Sequence, residues 1–332
     1  MPKFDFLAIG SLTVDIFAKA QVMERVDLSG HATHPNEHLL CIPFGSKATL
    51  DELEFFPGGS ASNSAVAMSR LGSKVALLSC IGKDSLGKVA VKEVASHGVD
   101  TSHVVVSRPL KTGVGLNIAS STGEKSVMVY RGANDGLGPE HLTDSMVKSS
   151  RCIFITSLVS KKNFALFLKA VKLARKHKKH VVFCPSITML RNWLPQLKRS
   201  GLSFDVSIFN YEEGSHYSGK GNVKDILRNI PGKVAVVSKD VDGAYAKEGS
   251  SFFHVKALPV KVVTTTLGAG DTFSGTFAHF YYSGDSVQQA LGKAACIAAL
   301  KLSKQGAHFH YSKSEALSFL KANLGKIPAE RI

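Results

Sequence analysis

Residues 264–280 (TTTLGAGDTFSGTFAHF) place Gly268 and Gly270 between a β-branched run and an amphipathic helix pattern. A strand-to-helix turn of this kind leaves backbone N–H groups free and adds the positive end of a helix dipole, which makes an anion site. Asp271 stands at the start of that helix. Its carboxylate can cap the helix, or, beside a phosphate cradle, accept a proton from an attacking hydroxyl. The motif alone does not choose between the two. Residues 58–72 (GGSASNSAVAMSRLG) form a second segment of interest. Gly58 and Gly59 let a ligand approach the backbone, Ser60, Ala61 and Ser62 keep the turn small, and Asn63 offers both a donor and an acceptor. The same residues also suit a tight turn feeding a small-residue helix that packs closely on a sheet.

The elements that must position these residues read as an α/β alternation. Residues 4–17 are apolar and β-rich, interrupted at Gly10-Ser11, and residues 19–57 form a less regular excursion of a few strands. A helix over 60–71 stops at Gly72, followed by a strand at 74–81 and a helix at 85–97. Partial alternation over 104–130 predicts strands that pair with the excursion in a small second sheet. From 151 onward strands at 152–155, 181–183, 206–209 and 234–238 alternate with helices at 164–176, 189–197, 212–217 and 223–229. That rhythm predicts right-handed crossovers and a mostly parallel sheet. A hairpin over 244–255, a strand over 260–264 and helices over 272–282, 287–302 and 314–323 complete the chain. There is no internal repeat or low-complexity linker, so residues 1–332 read as one domain.

The 332 residues, 44% hydrophobic and 20% charged, suffice for a sizeable core. No apolar run reaches the ~18 to 20 residues of a membrane helix, and the N-terminus lacks a cleavage-site pattern, so neither a membrane partner nor secretion is expected. The five cysteines lie far apart with no CxxC pair, which reads as reduced thiols in a cytoplasmic protein. A net charge of +15 suits either nucleic acid or phosphate-bearing substrates. Its densest cluster, residues 172–179 (KLARKHKK), ends a helix, where cations complement the dipole. No RNP-type aromatic motif or zinc-finger spacing accompanies it, so nucleic acid is not the expected partner. His31, His34 and His38 lack helical context and read as solvated loop residues rather than metal ligands.

Taken together, GGxxxN…LG and GAGD resemble the two signatures of the PfkB carbohydrate kinase family. Residues 82–87 (GKDSLG) resemble its G-x-D-x-x-G element, residues 210–213 (NYEE) its N-x-x-E motif, and residues 132–134 its GAN turn. Residues 10–15 (GSLTVD) match its first strand and substrate aspartate, and the matches keep family order from Gly10 to about Gly306. The resemblance implies a ribokinase-like fold, with a central mainly parallel sheet flanked by helices and a small β lid from segments 19–57 and 104–130. It implies Asp271 as the base, with the N–H groups of Leu267, Gly268, Ala269 and Gly270 stabilising the transferring phosphoryl group. Asp15, Asn63, Gly58 and Gly59 would hold substrate hydroxyls. Asn210 and Glu213 would organise Mg²⁺ through its water shell, and Ser238 and Gly243 would lie along ATP.

The chain departs from the family pattern at several positions. Thr265 replaces the leading aspartate of the anion-hole motif, which puts a monovalent-cation requirement in doubt, and Leu267 replaces a threonine. Residues 238–240 read Ser-Lys-Asp where Thr-x-Gly is usual, so Asp240 adds a negative charge that Lys239 can offset. Cys184 stands where an aspartate is usual and reads as packing rather than as a nucleophile. Thr13 and Ser60 replace an asparagine and a lysine of ribokinases. The expectation is therefore an ATP- and Mg²⁺-dependent kinase for a hydroxymethyl group of a sugar or nucleoside, with a homodimer through the lid left open. The rival is a non-catalytic sugar- or nucleoside-binding regulatory protein on the same fold.

Overall fold

A computed structural model describes residues 2–20, 24–27, 38–41, 44–45, 47, 49–120, 125–261, 263, 266–304 and 311–332. Strand β1 (Phe4–Ile9) is buried along most of its length, as a strand covered on both faces must be. Its alternate residues serve two cores: Phe6 and Ala8 point to one, Leu7 and Ile9 to the other. At Gly10-Ser11 the chain leaves this sheet, and β2 (Thr13–Ala20) enters a second one. The β-rich run at 4–17 is thus two strands in two sheets. β3 (Glu24–Asp27) and β4 (His38–Cys41) pair with each other, and β5 (Leu50–Gly58) runs antiparallel to β2. Helix α1 (Ser60–Leu71), β6 (Val75–Leu78), β7 (Cys80–Gly82) and α2 (Ser85–Ser96) follow. β8 (Val105–Ser107) pairs with β7. β9 (Gly113–Ser120) and β10 (Lys125–Tyr130) complete the small sheet, whose order is β10-β9-β2-β5. His31 and His34 lie outside the described residues.

The second half builds most of the large sheet. It runs through α3 (Asp144–Lys148), β11 (Ser150–Ile155), α4 (Lys161–Lys176), β12 (His180–Phe183), α5 (Ile187–Arg199) and β13 (Val206–Asn210). Next come α6 (Tyr211–Ser218), α7 (Val223–Asn229), β14 (Val234–Ser238), β15 (Ala244–Glu248) and β16 (Ser251–Val255), then α8 (Ala269–Tyr282), α9 (Val287–Leu302), α10 (Lys313–Asn323) and β17 (Glu330–Arg331). The order is β17-β16-β15-β14-β13-β12-β11-β1-β6. The run from β14 to β6 is parallel, and β15, β16 and β17 add an antiparallel edge. The strand expected over 260–264 does not form at Val260, Lys261 or Val263. Pro259 removes a ladder donor just before it, and β17 takes the edge of β16 instead. Val262, Thr264 and Thr265 lie outside the described residues. No helix among the described residues is long and apolar enough to cross a membrane.

Helices α1, α2, α8, α9 and α10 cover one face of the large sheet and α3, α4, α5 and α7 the other. α1 and α8 approach unusually closely. A Cβ on Gly275 would lie 2.6 Å from the Ser64 carbonyl oxygen, so only glycine lets the two helices meet here.

Both points where the chain crosses into the small sheet are pinned. Just before β2, the Leu12 N–H donates to Asn134 Oδ1 and the Asn134 amide donates back to the Leu12 carbonyl, each at 3.0 Å. Just before β9, Asp84 accepts from the Thr112 N–H at 2.8 Å and from its hydroxyl at 2.7 Å, while capping α2 through the Gly87 N–H at 2.9 Å. Burial alone would raise the pKa of Asp84, but these donors outweigh it and hold the carboxyl below its ordinary value. The GKDSLG and GAN elements are thus clamps for the small sheet. Asp84→Ala removes a helix cap and two further charge-assisted bonds, and should destabilise the fold by about 2 to 3 kcal/mol. Thermal unfolding checks this, and a midpoint within error of the unaltered chain would refute the clamp.

Candidate active site

The strands of the parallel sheet end at a common edge, where open α/β sheets place their ligand crevice. Asn210 ends β13 and lies directly beside Ser238, which ends β14. β1 leads at the same edge into Gly10 and Ser11. The Ser11 hydroxyl accepts from the Ser60 N–H at 3.1 Å, tying this turn to the start of α1.

Asp271 occupies the first turn of α8, after Gly268 at the N-cap with φ 70°. The Asn63 amide donates to its Oδ2 at 2.8 Å, and the Ser60 hydroxyl also donates to the carboxylate. The Ser64 hydroxyl donates to its backbone oxygen at 3.0 Å. Asn63 thus turns its amide nitrogen to Asp271, and its buried Oδ1 has no hydrogen-bond partner among the described residues. In the turn itself, the Ala269 N–H donates to the Thr266 carbonyl at 3.3 Å. A Cβ on Gly270 would meet nothing within 4 Å among the described residues, so the turn is open at this position.

Asp15 stands on β2 between Gly115 of β9 and Phe56 of β5. A Cβ on Gly58 would lie 2.3 Å from one of its carboxylate oxygens, and one on Gly115 2.6 Å from the other. The two glycines make the slot that holds this carboxyl. Its contact with the Thr13 hydroxyl is long, at 3.5 Å, leaving most of its acceptor capacity open.

Glu213 and Asn210 form a reciprocal cap at the start of α6. Asn210 Oδ1 accepts from the Glu213 N–H and Glu213 Oε2 from the Asn210 N–H, both at 2.8 Å. The Glu213 carboxylate also accepts from the Ile187 N–H. Among the described residues no three histidine, cysteine or acidic side chains converge as a direct metal cage. A hydrated divalent cation, which keeps several waters, fits a site of this kind better than a bare one.

Burial pushes the Asp271 carboxyl up to about 6 against the donors Asn63 and Ser60. Asp15 is pushed up to about 6 by burial and then by the charge of Asp271. Glu213 is pushed up to about 7, first by burial, and the charges of Asp271 and Glu212 add to it. Three acids thus share one poorly solvated field. Cys184 borders the same field, and burial raises its thiol well above the ordinary range, so it is no thiolate nucleophile.

The Ser238 to Gly243 loop closes on itself. The Lys239 N–H donates to the Gly243 carbonyl at 2.8 Å, and Gly243 has φ 89°. Lys239 pairs with Asp242 at 2.7 Å, so its partner is not Asp240, whose charge it was expected to offset.

The sequence model described as pfkB family carbohydrate kinase matches residues 26–313. The chain belongs to this family. A deoxyribokinase of Salmonella typhi is 27% identical over 270 residues, covering 78% of this chain and 85% of that one. A probable sugar kinase protein from Rhizobium etli CFN 42 matches the fold with a TM-score of 0.80 at 22% identity, over 98% of this chain and 100% of that one. A putative ribokinase II from E. coli, in complex with ATP and Mg²⁺, matches at a TM-score of 0.78 and 20% identity, over 96% and 100%. The chain thus has the ribokinase-like α/β fold of a PfkB kinase.

Of the residues singled out in the sequence, Asp271 meets Asn63 and its charge reaches Asp15 and Glu213, but three neighbours were not given their contacts. Ser60, read as a small turn residue and as a replaced lysine, is a donor to Asp271. Ser64 holds the backbone of Asp271, and Gly115 makes room for Asp15. A signal existed for Ser64, four positions after Ser60 on one helix face; Gly115 carried none, because its partner lies in a distant strand.

The folded pKa values of Asp15, Asp271 and Glu213 lie above their ordinary ones, so the folded chain binds these protons more tightly than the unfolded chain. Stability from these groups is therefore greatest at low pH and declines as pH rises through about 6 to 7. Asp271→Asn removes one acid and its repulsion on the other two. Its melting temperature should fall less between pH 5 and pH 8 than that of the unaltered chain. Parallel curves in a differential scanning experiment would show that Asp271 does not bind its proton more tightly in the folded chain.

Proposed function

We propose that the chain transfers the γ-phosphoryl group of ATP to a hydroxymethyl group of a sugar or nucleoside, in a reaction that requires Mg²⁺. The observation that carries this reading is Asp271, a desolvated carboxyl in the first turn of α8, beside a glycine turn open to an anion and within the field of Asp15. Asp15, the Gly58-Gly59 backbone and the free Oδ1 of Asn63 hold hydroxyls of the acceptor. Asp271 takes the proton of the hydroxymethyl group as its oxygen bonds to the γ-phosphorus and the bond to the ADP oxygen breaks. The N–H groups of Gly268 and Gly270, in the turn where Ala269 closes on Thr266, stabilise charge on the phosphoryl oxygens. Ser238 and Gly243 line the nucleotide. Asn210 and Glu213 hold the water shell of Mg²⁺, which supplies charge neutralisation between the phosphates. The small sheet closes over the acceptor and keeps water from the phosphoryl group. The deoxyribokinase relative and the ATP-bound structural neighbour support the class of acceptor and the donor.

ADP release from ATP and Mg²⁺, followed against a panel of sugars, sugar phosphates and nucleosides, tests the reading. Asp271→Asn should lower kcat by about 10²- to 10⁴-fold while acceptor binding persists. Because the base must be ionised, activity should fall as pH drops through about 6. Near-normal turnover in the variant would remove Asp271 as the base. Acceptor binding without turnover by the unaltered chain would favour a non-catalytic binding protein.

A further inference from the structure

The small sheet carries a polar group that the reaction described above does not use. Along β9, Gly115 and Asn117 stand opposite Asp15 and Phe17 of β2. Alternation along the strand puts the Asn117 side chain on the same face as the Asp15 carboxylate. A Cβ on Gly115 would lie 2.6 Å from Asp15 Oδ1 and 3.9 Å from Asn117 Nδ2, so the two polar groups flank one glycine. Asn117 is 1% exposed. Its amide hydrogens point at the Gly115 and Ile16 carbonyls, at 3.3 and 3.5 Å. Two backbone acceptors fix which end of the amide carries nitrogen. The other end, Oδ1, is buried and has no hydrogen-bond partner among the described residues.

Folded proteins leave few buried acceptors unpaired, and each calls for a partner. Across the strands, the neighbours of Asn117 on that face are Phe17 and Val127, neither of which has a side-chain donor. The Asn63 Oδ1 and the open lone pairs of Asp15 are acceptors too. Asn117, Asn63 and Asp15 thus each present an oxygen with acceptor capacity left over, which is the complement of a ligand bearing several O–H or N–H groups.

Resting on the kinase reading, we propose that Asn117 is a specificity-determining residue, whose Oδ1 accepts a hydrogen bond from an O–H or N–H of the phosphoryl acceptor at the end held by the small sheet. The donor is a ring hydroxyl if the acceptor is a sugar, and a base N–H if it is a nucleoside. An acceptor with C–H at that place leaves Oδ1 buried and unpaired, and is selected against.

The test compares kcat/KM for matched acceptors: sugars and their single-deoxy analogues in one arm, nucleosides and analogues with a base N–H replaced by C–H in the other. The full chain, Asn117→Leu and Asn117→Gln are assayed side by side. The unaltered chain should prefer one donor-bearing acceptor over its analogue by about ten- to a hundred-fold. Asn117→Leu should erase that preference by lowering kcat/KM for the donor-bearing acceptor alone, and Asn117→Gln, which keeps an amide with both a donor and an acceptor end, should retain part of it. The arm that shows the preference identifies the donor as hydroxyl or N–H. Asn117→Leu also loses the amide bonds to the Gly115 and Ile16 carbonyls, so its unliganded melting curve is recorded to establish that it is folded before its preferences are read. A folded Asn117→Leu protein that keeps every preference overturns the assignment. If the unaltered chain phosphorylates nothing, the kinase reading fails on its own, and calorimetric Kd values for the same pairs decide Asn117: a preference lost in Asn117→Leu upholds it, and unchanged Kd ratios overturn it.

Discussion

Asn63 and Asp271 are 208 residues apart in the chain and meet at 2.8 Å. For that bond to form, α1 and α8 must approach until a carbonyl on one helix nearly touches the backbone of the other. The chain satisfies this with Gly275 against the Ser64 carbonyl, and with Ala61, Ala65 and Ala67 buried along α1. Glycine in a helix interior costs about 1 kcal/mol relative to alanine, so its presence in α8 marks a place where proximity outweighs propensity. The same approach carries the Asp271 carboxyl out of water, because the helix that supplies its donors also covers it. Position, burial and hydrogen bonding of the acid thus come from one packing contact.

A carboxyl brought into such a place disturbs its neighbours. Asp15 and Glu213 feel its charge, and their own burial keeps that repulsion from being screened as it would be in water. A cluster of acids repels the anionic donor proposed above, yet the chain as a whole is basic at +15. The two charges act over different ranges. Net charge draws an anion toward the surface, while the acids at the crevice act only within a few ångströms, where a bound cation and the N–H groups of α8 can intervene. The local excess of negative charge is therefore compatible with an anionic donor, and it keeps the three carboxyls near the protonation states that matter close to neutral pH.

Much of this was legible in the sequence, where it depends on local patterns. The strand and helix alternation after residue 151, the cap residues and the glycine turns at 58–59 and 268–270 are written in neighbouring residues, and the large sheet follows them. Pairing partners are not written locally. The break at Gly10-Ser11 was visible, but not that β2 leaves for another sheet, since that depends on β5 and β9 lying far along the chain. The β-branched residues at 260–264 favoured a strand on propensity, and lost to Pro259 and to the competing edge pair of β17. Asp84 and Asn134 were readable as motif residues, but their work as clamps became clear only when Thr112 and Leu12 were seen beside them. Lys239 was judged by its neighbour Asp240, whereas the turn brings Asp242 to it.

The balance at Asp271 shows why a departure from a motif need not be a loss. An acid that is to remove a proton from an alcohol gains driving force as its pKa rises, but must stay ionised at the working pH. Burial alone drives it upward, toward a neutral form that cannot act. Each donor pulls it back, and too many would leave an ionised but weak base. In this chain two donors, the Asn63 amide and the Ser60 hydroxyl, oppose burial and leave the carboxyl at about 6. A lysine at position 60 would bring a full positive charge in place of a neutral hydroxyl, and a nearby cation lowers a carboxyl far more than a neutral donor does. If Asp271 serves as the base, as proposed, a neutral hydroxyl from Ser60 opposes its burial less strongly than a cation would, so the departure at position 60 need not weaken the site.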